Sequence, residues 1–431
     1  MNEAPFGTGH DRSVPRRRNR DGFDDACKGN DGRRFSNARF GLHSPGNTRV
    51  RAGRVERKGE RMSFLKRLFG RGDTADGVGA APIETILINA YATLRDLPPL
   101  DVPHELHGQR DRADPELAPH LDGFIGYVMG RGDGGMTAAR YHLWRHLQRV
   151  RNHVSFEVVT LDLADVEAWA RTANAVLFLP DGSVRAPDMA ILISAAGESD
   201  PAAALPYPPD AVARRARTLA RLEGMDPRLP SGMPPALGEG EVVLQAPEAV
   251  LRRALALFTV AAWGQAHGTG AGPIPAGQRM HNPIGFDALT PRERAQVAVE
   301  TPEAATPEAA AAMSWRYEAA NTLLWALGRE AAEIGRSDRM IDVDALWRDV
   351  ADLARPGSPG EVLRLRPVGE ILDALDRTWR EHWIVRQARQ MASPIDGLNG
   401  DVVAERHVAL NWLTGFQNDL GTPWDEIDTP T

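Results

Sequence analysis

Six side chains in the C-terminal half have the types and helical spacing to assemble proton-transfer and anion-holding chemistry: Glu318, His382, Arg386, Glu405, Arg406 and His407. Histidine moves protons near neutral pH, glutamate can act as a base, and arginine seats anionic groups. At about 100° per residue, a helix opened by Pro367 puts Val368, Leu372, Leu375, Trp379 and Trp383 on one arc. Arg386 falls inside that arc and His382 at its edge. On a helix from Asp401, residues Val402, Val403, Ala409, Leu410 and Leu413 share an arc with Arg406 near its middle. His407 sits on the flank of that arc, and Glu405 faces away with Val408 and Trp412. On a pattern from Pro307 the apolar face is Met313, Tyr317, Ala320, Leu324 and Leu327, and Glu318 lies off it, between Trp315 and Trp325.

An unpartnered buried guanidinium is costly, so Arg386 and Arg406 need carboxylates, carbonyls or a bound anion. Glu318, Glu405 and Asp373 are the carboxylates on offer. Two outcomes stay open. One is an ion-pair lattice that ties helices together. The other is a polar cleft with Glu318, His382, Glu405 and His407 as catalytic candidates and Arg386 and Arg406 as binding candidates.

Weaker signals lie upstream. His142 and His146 have the i, i+4 spacing that puts two imidazoles on one helix face, but Leu143 stands where a metalloprotease helix needs glutamate. Arg145, Arg149 and Arg151 beside them would repel a cation. A solvated basic face is therefore expected, with metal or phosphate contact as the rival. Gly126–Gly135 holds five glycines but no phosphate-loop or dinucleotide fingerprint, and it reads as a loop between a strand and a helix. There is no Gly-x-Ser-x-Gly elbow. The only cysteine, Cys27, excludes a disulfide framework and a cysteine-rich zinc site. No spacing proposes a metal site and no cofactor is indicated.

These residues need elements to hold them, and 431 residues with 42% hydrophobic and 25% charged content are enough for two packed domains. No apolar run reaches the length of a membrane span, so a cytoplasmic globular protein is expected. Charge is uneven: residues 1–61 carry a balance of +7 and the remainder −14. That basic, periodicity-free opening reads as disordered. Met62 begins a segment resembling an ordinary bacterial start, so residues 1–61 are expected to lie upstream of the true start. Only three lysines accompany 48 arginines, as in a GC-rich genome. Residues 62–82 read as a linker, in which Phe64–Phe69 is too short to hold a membrane surface firmly.

From 83 to 226 the pattern is mixed α/β. Strands are expected over Thr85–Thr93, Gly123–Met129 and Phe156–Leu161, and a hairpin with a Pro180-Asp181-Gly182 turn over 174–194. Helices are expected from Thr137 to Arg151, over Asp165–Thr172 and over Arg214–Leu222. Residues 227–240, rich in proline and glycine, mark a boundary. From 241 to 431 the chain reads as all helix, with starts at Pro247, Thr290 (a capping box with Glu293), Pro307, Val343, Pro367 and Asp401. The helix from Pro307 is expected to run to Gly328, and that from Val343 to stop at Pro356-Gly357. A second Thr-Pro-Glu-Ala copy at Thr301 reads as a tandem helix start. Seven of the ten tryptophans lie between Trp315 and Trp424 and are expected to anchor a helical core. The fold class is α+β, with an N-terminal mixed α/β domain containing a hairpin and a C-terminal all-helical domain.

Several C-terminal motifs together resemble a bacterial family of unknown function, the one numbered 4272. They are Trp315-Arg316-Tyr317-Glu318, Leu323-Leu324-Trp325-Ala326-Leu327-Gly328, Arg366-Pro367 with Glu370-Ile371-Leu372, and Trp379-Arg380-x-His382-Trp383. The strongest is Glu405-Arg406-His407-x-Ala409-Leu410-Asn411-Trp412-Leu413, followed by Trp424-Asp425. The resemblance runs from about Gly123 to the end, and residues 1–61 have no part in it. It implies no activity, cofactor or partner.

The function is thus unknown at this level. The leading expectation is a cytoplasmic binding or regulatory module, with a partner protein as one option. The rival is a hydrolase or phosphate-handling enzyme using the Glu/His/Arg cleft. Nucleic acid is disfavoured because the −14 body would repel phosphates over most of its surface.

Overall fold

A computed structural model describes residues 84–270, 276–298, 306–329, 334–354 and 363–431. The expectations for residues 1–61 and 62–82, for Phe64–Phe69, for the Thr301 copy and for the stop at Pro356-Gly357 lie outside the described residues. The chain is α+β, with an antiparallel sheet and its helices first and a helical part after it.

Six strands form one sheet in the order β2-β3-β1-β4-β5-β6, where β1 is Thr85–Ala92, β2 His104–Asp111, β3 Asn152–Val159, β4 Ala175–Phe178, β5 Val184–Arg185 and β6 Ile191–Ile193. Every pairing is antiparallel. Side chains alternate between faces along a strand, so both faces of this sheet are apolar where helices cover them. Ile88 and Ala90 of β1, Phe156 and Val158 of β3 and Leu177 of β4 pack on Val166, Trp169 and Ala170 of helix α3 (Leu163–Thr172). Tyr91 and Val176 face the other way, onto Leu117, Phe124 and Val128 of α1 (Leu117–Met129) and Leu143 and Leu147 of α2 (Ala138–Arg149). The hairpin between β4 and β5 turns through Pro180, Asp181 and Gly182. Gly182 has a φ of 78° there, which suits glycine, and its N–H donates to the Leu179 carbonyl.

Two local expectations fail here. Gly123–Met129 is the C-terminal half of α1 and not a strand, because Leu117, Leu121, Phe124 and Val128 form a helical stripe that a seven-residue window cuts in two. The glycine-rich loop after it therefore joins two helices. β2 was not anticipated: it is an edge strand whose side chains are mostly exposed, so it shows no alternation of apolar and polar residues.

The helical part begins with α4 (Pro209–Arg221) and is built around α5 (Pro247–Gly268), which is buried on nearly every side. Short helices α6 (Ala276–His281), α7 (Pro283–Asp287) and α8 (Pro291–Val297) follow. Thr290 and Glu293 close the expected capping box. The expected single helix from Pro307 is two, α9 (Pro307–Ser314) and α10 (Arg316–Ala326), broken at Trp315. Then come α11 (Val343–Leu353), α12 (Val368–Met391) and α13 (Gly400–Thr414). Asn399 caps α13 through Asp401 and Val402 N–H, and Gly415 ends it at a φ of 65°. Leu255 and Phe258 of α5, Leu323 and Leu324 of α10, Leu372 and Leu375 of α12 and Leu410 and Leu413 of α13 share one core. Trp379 and Trp424 are buried in it, and Trp325, Trp347, Trp383 and Trp412 pack against it, so these tryptophans are core anchors.

Sheet and helices meet at Glu241, which is 1% exposed. Its carboxylate accepts from Gly238 N–H at 2.7 Å and from the Asn174 amide at 3.4 Å, and Arg149 lies at 3.4 Å.

Candidate functional site

The structure distributes the six candidate residues over three arrangements and one exposed position. Arg406, near the middle of the buried arc of α13, reaches Glu318 on α10: its Nε and Nη2 donate to one carboxylate oxygen at 3.2 and 3.0 Å. Both side chains are buried. The other Glu318 oxygen accepts from Ile341 N–H at 2.8 Å, and Arg406 Nη1 donates to the Ile334 and Arg336 carbonyls. Arg377 of α12 also donates to the Ile334 carbonyl, at 2.7 Å, and Arg221 of α4 to that of Gly335, at 3.1 Å. Guanidiniums from three helices thus hold the carbonyls of residues 334–336, which lead into α11. Carbonyls outside a helix lack the ladder's donors, and this segment, of which Ile334 is buried, gets them from side chains.

Glu405 takes a different partner, Arg316, at 2.6 Å. Burial pushes its carboxyl up from the ordinary range, and the Arg316 charge opposes that shift. Asp373, the third carboxylate on offer, binds Arg214 at 2.9 Å and Arg217 at 2.7 Å.

His382 of α12 and His407 of α13 meet Nδ1 to Nδ1 at 2.7 Å, with perpendicular rings. One nitrogen must donate and the other accept, so the contact suits two neutral imidazoles sharing one proton. Burial lowers His382 to about 4, with Arg386 and Arg389 adding to the effect. His407, fully buried, is held well below the ordinary value by burial, by His382 and by Arg386.

Two sequence expectations are corrected at this point. Arg386 is exposed: beyond Trp379 the buried side of α12 shifts to Ile384, Val385 and Ala388, while Arg386, Arg389 and Gln390 face solvent. The arc that buries Trp379 therefore no longer has a core to face. His146 is not on a solvated face but is fully buried, within 3.3 Å of the Tyr91 carbonyl, and burial pushes it down to about 3. His142 is half-buried. The sheet packs over that side of α2, which helical spacing alone did not indicate. A further buried cluster went unnoticed in the sequence because its members are scattered. Tyr91 Oη lies 3.1 Å from His120 Nε2, and His153 sits between the Asn89 amide oxygen and Arg110.

The basic residues of α2 do reach an open space. A cleft of about 420 Å³ lies between the end of α2 and the loop after α13. Arg112, Arg145, Arg149 and Arg151 line one side, Thr414–Leu420 the other, and Leu237 and Glu241 complete it. Thr137 caps α2 by accepting from Arg140 N–H, and the spacing of Arg145 and Arg149 puts both on one helix face. Arg151 is placed by its N–H, which donates to the Ala92 carbonyl at 2.9 Å. Arg145 donates to Gln148 Oε1 at 2.8 Å, and Arg112 to the Gln148 carbonyl at 3.3 Å. Burial lowers the guanidinium pKa of Arg145, and Arg149 adds to this against Tyr141 and Asp428. Arg151 is lowered by burial and by Arg112 and Arg95, against Glu241. Positive charge is thus concentrated where it is costly to hold.

A second cleft of about 420 Å³ is lined by Arg214, Arg217, Arg221 and Arg377, but Asp373 or backbone carbonyls already engage these arginines. Among the described residues no group of three or more His, Cys, Asp or Glu could hold a metal ion, and no helix is long and apolar enough to cross a membrane.

Residues 214–427 match the model of a family described as a domain of unknown function, DUF4272. The match starts at Arg214, later than the Gly123 expected from the motifs. No curated protein and no solved structure matches the chain.

Proposed function

We propose the function from the site alone, since the DUF4272 family that residues 214–427 match carries no assigned activity in its description: a non-catalytic binding module that takes an anionic ligand in the cleft between α2 and the 414–420 loop. One contrast carries the reading. In the helical interior Glu318, Arg406, Glu405, His382 and His407 are each engaged by another side chain, so they act as ties between helices. In the cleft, Arg145 and Arg151 hold charge against burial and beside other guanidiniums, which costs stability. Groups kept at such a cost are characteristic of sites. A cytoplasmic, bacterial setting accords with the single cysteine and with the predominance of arginine over lysine.

Thermal unfolding tests the assignment without a known ligand. An Arg145→Ala/Arg151→Ala variant should melt at or above the wild-type temperature, because the substitutions relieve repulsion and desolvation. Glu405→Gln should melt several degrees lower. If the double arginine variant loses as much stability as Glu405→Gln, the cleft arginines are structural and the reading falls.

A further inference from the structure

We propose that the ligand of this cleft is a small anion with at least two negative charges on phosphate or carboxylate groups, held by Arg145 and Arg151. The inference rests on the binding-module reading above and adds the chemistry of the ligand.

Charge sets the valence. Of the two carboxylates at the cleft, Glu241 is committed to Gly238 N–H, Asn174 and Arg149, leaving Asp419 against Arg112, Arg145 and Arg151. The surplus among the lining residues is about two positive charges, offset in part by Asp428, which acts on Arg145 from outside the lining, and a dianion neutralises it. Planar guanidiniums with several donors fit the paired oxygens of phosphate or carboxylate groups. Arg112 and Arg145 each spend one hydrogen bond on Gln148, which keeps their forks oriented toward the cleft.

Volume and lining set the size. About 420 Å³ falls within the range of small-molecule sites and exceeds what a bare ion fills. Leu237, Phe416 and Leu420 border the same space and can cover an apolar part of the ligand. Gln417, also at the cleft, has a buried side-chain oxygen with no hydrogen-bond partner among the described residues. A hydroxyl or a protonated acid on the ligand would supply the missing donor. A polyanion is disfavoured, because the −14 balance of residues 62–431 repels a long chain of phosphates outside the cleft.

Isothermal titration of the full chain with sodium pyrophosphate, citrate and heparin tests this, using wild type, Arg145→Ala, Arg151→Ala and Arg217→Ala. Arg217 pairs with Asp373 in the other cleft and serves as the control. The expected result is one-to-one binding of pyrophosphate or citrate. It should weaken about tenfold in each cleft variant, as loss of a charge-assisted hydrogen bond implies, and stay within about twofold in Arg217→Ala. Binding of heparin alone, or equal binding by wild type and both cleft variants, overturns the proposal. If neither small anion binds while Arg145→Ala/Arg151→Ala still melts at or above wild type, the ligand chemistry is wrong and the cleft reading survives. If that variant melts lower, the reading itself fails.

Discussion

The Arg406 guanidinium lies 3.0 Å from the Glu318 carboxylate, and the two groups divide the work of holding one backbone segment. Arg406 donates to the Ile334 and Arg336 carbonyls, and Glu318 accepts from Ile341 N–H. The pair therefore joins α10, α13 and the approach to α11 at a point shielded from water. A catalytic group must be free to engage a substrate, and the hydrogen bonds described for these two go to each other and to the backbone.

Breaking this pair from one side should be expensive. Glu318→Gln removes the charge facing a guanidinium that is 2% exposed and should cost about 3–5 kcal/mol. Urea unfolding of Glu318→Gln beside Arg389→Ala, a residue exposed at the end of α12, provides the comparison. A loss at Glu318 no larger than at Arg389 would remove the staple from the account.

Acid should weaken the fold through its buried imidazoles. Burial keeps His382 and His407 neutral when folded, so below the ordinary value of about 6.5 the unfolded chain binds more protons than the folded one. Stability is then complete above about pH 6.5 and falls as pH drops toward the folded value of about 4 for His382. The slope is about 1.4 kcal/mol per pH unit for each such imidazole. His146 and His153, both lowered to about 3, add to the same fall. A His382→Gln/His407→Gln variant should lose less stability than wild type between pH 7.5 and 5.0 in urea titrations. An unchanged pH dependence would contradict it.

The contact of α5 with α9 depends on a missing side chain. A Cβ at Gly264 would lie 2.6 Å from both the Ala310 carbonyl oxygen and the Ser314 nitrogen, backbone atoms that cannot swing aside. Gly264→Ala should cost about 1–3 kcal/mol through overpacking, although alanine is the better helix former. A variant as stable as wild type by calorimetry would show that α9 can shift.

At the start of α8 the cap has two functions. Thr290 accepts from Glu293 N–H, and Glu293 accepts from Thr290 N–H while also holding Arg253 at 2.7 Å. Thr290→Ala should therefore cost about 1 kcal/mol. Glu293→Ala should cost more, since it also strands Arg253 at 6% exposure. The reverse order of melting temperatures would count against this division.

Periodicity made part of this site legible. Arg406 near the middle of an apolar arc had to be buried and paired, and Glu318 was among the carboxylates named for it. Pro307, Pro367 and the Thr290 box marked helix starts because the first-turn chemistry is local. What helical spacing does not encode is where a neighbour ends: it placed Arg386 in the core and His146 in solvent, and both are the other way round. The meetings of His382 with His407 and of Glu405 with Arg316 depend on how three helices cross. The basic run Arg145, Arg149, Arg151 was visible, but the cleft needs the 414–420 loop, which arrives more than 250 residues later in the chain.

The most direct test is a crystal structure of the full chain grown with pyrophosphate and, in a parallel drop, with citrate. Our account predicts oxyanion density within hydrogen-bond distance of Arg145 and Arg151, between the end of α2 and the 414–420 loop. Density instead at Arg217, Arg221 and Arg377, or a cleft left empty at saturating anion, would contradict it.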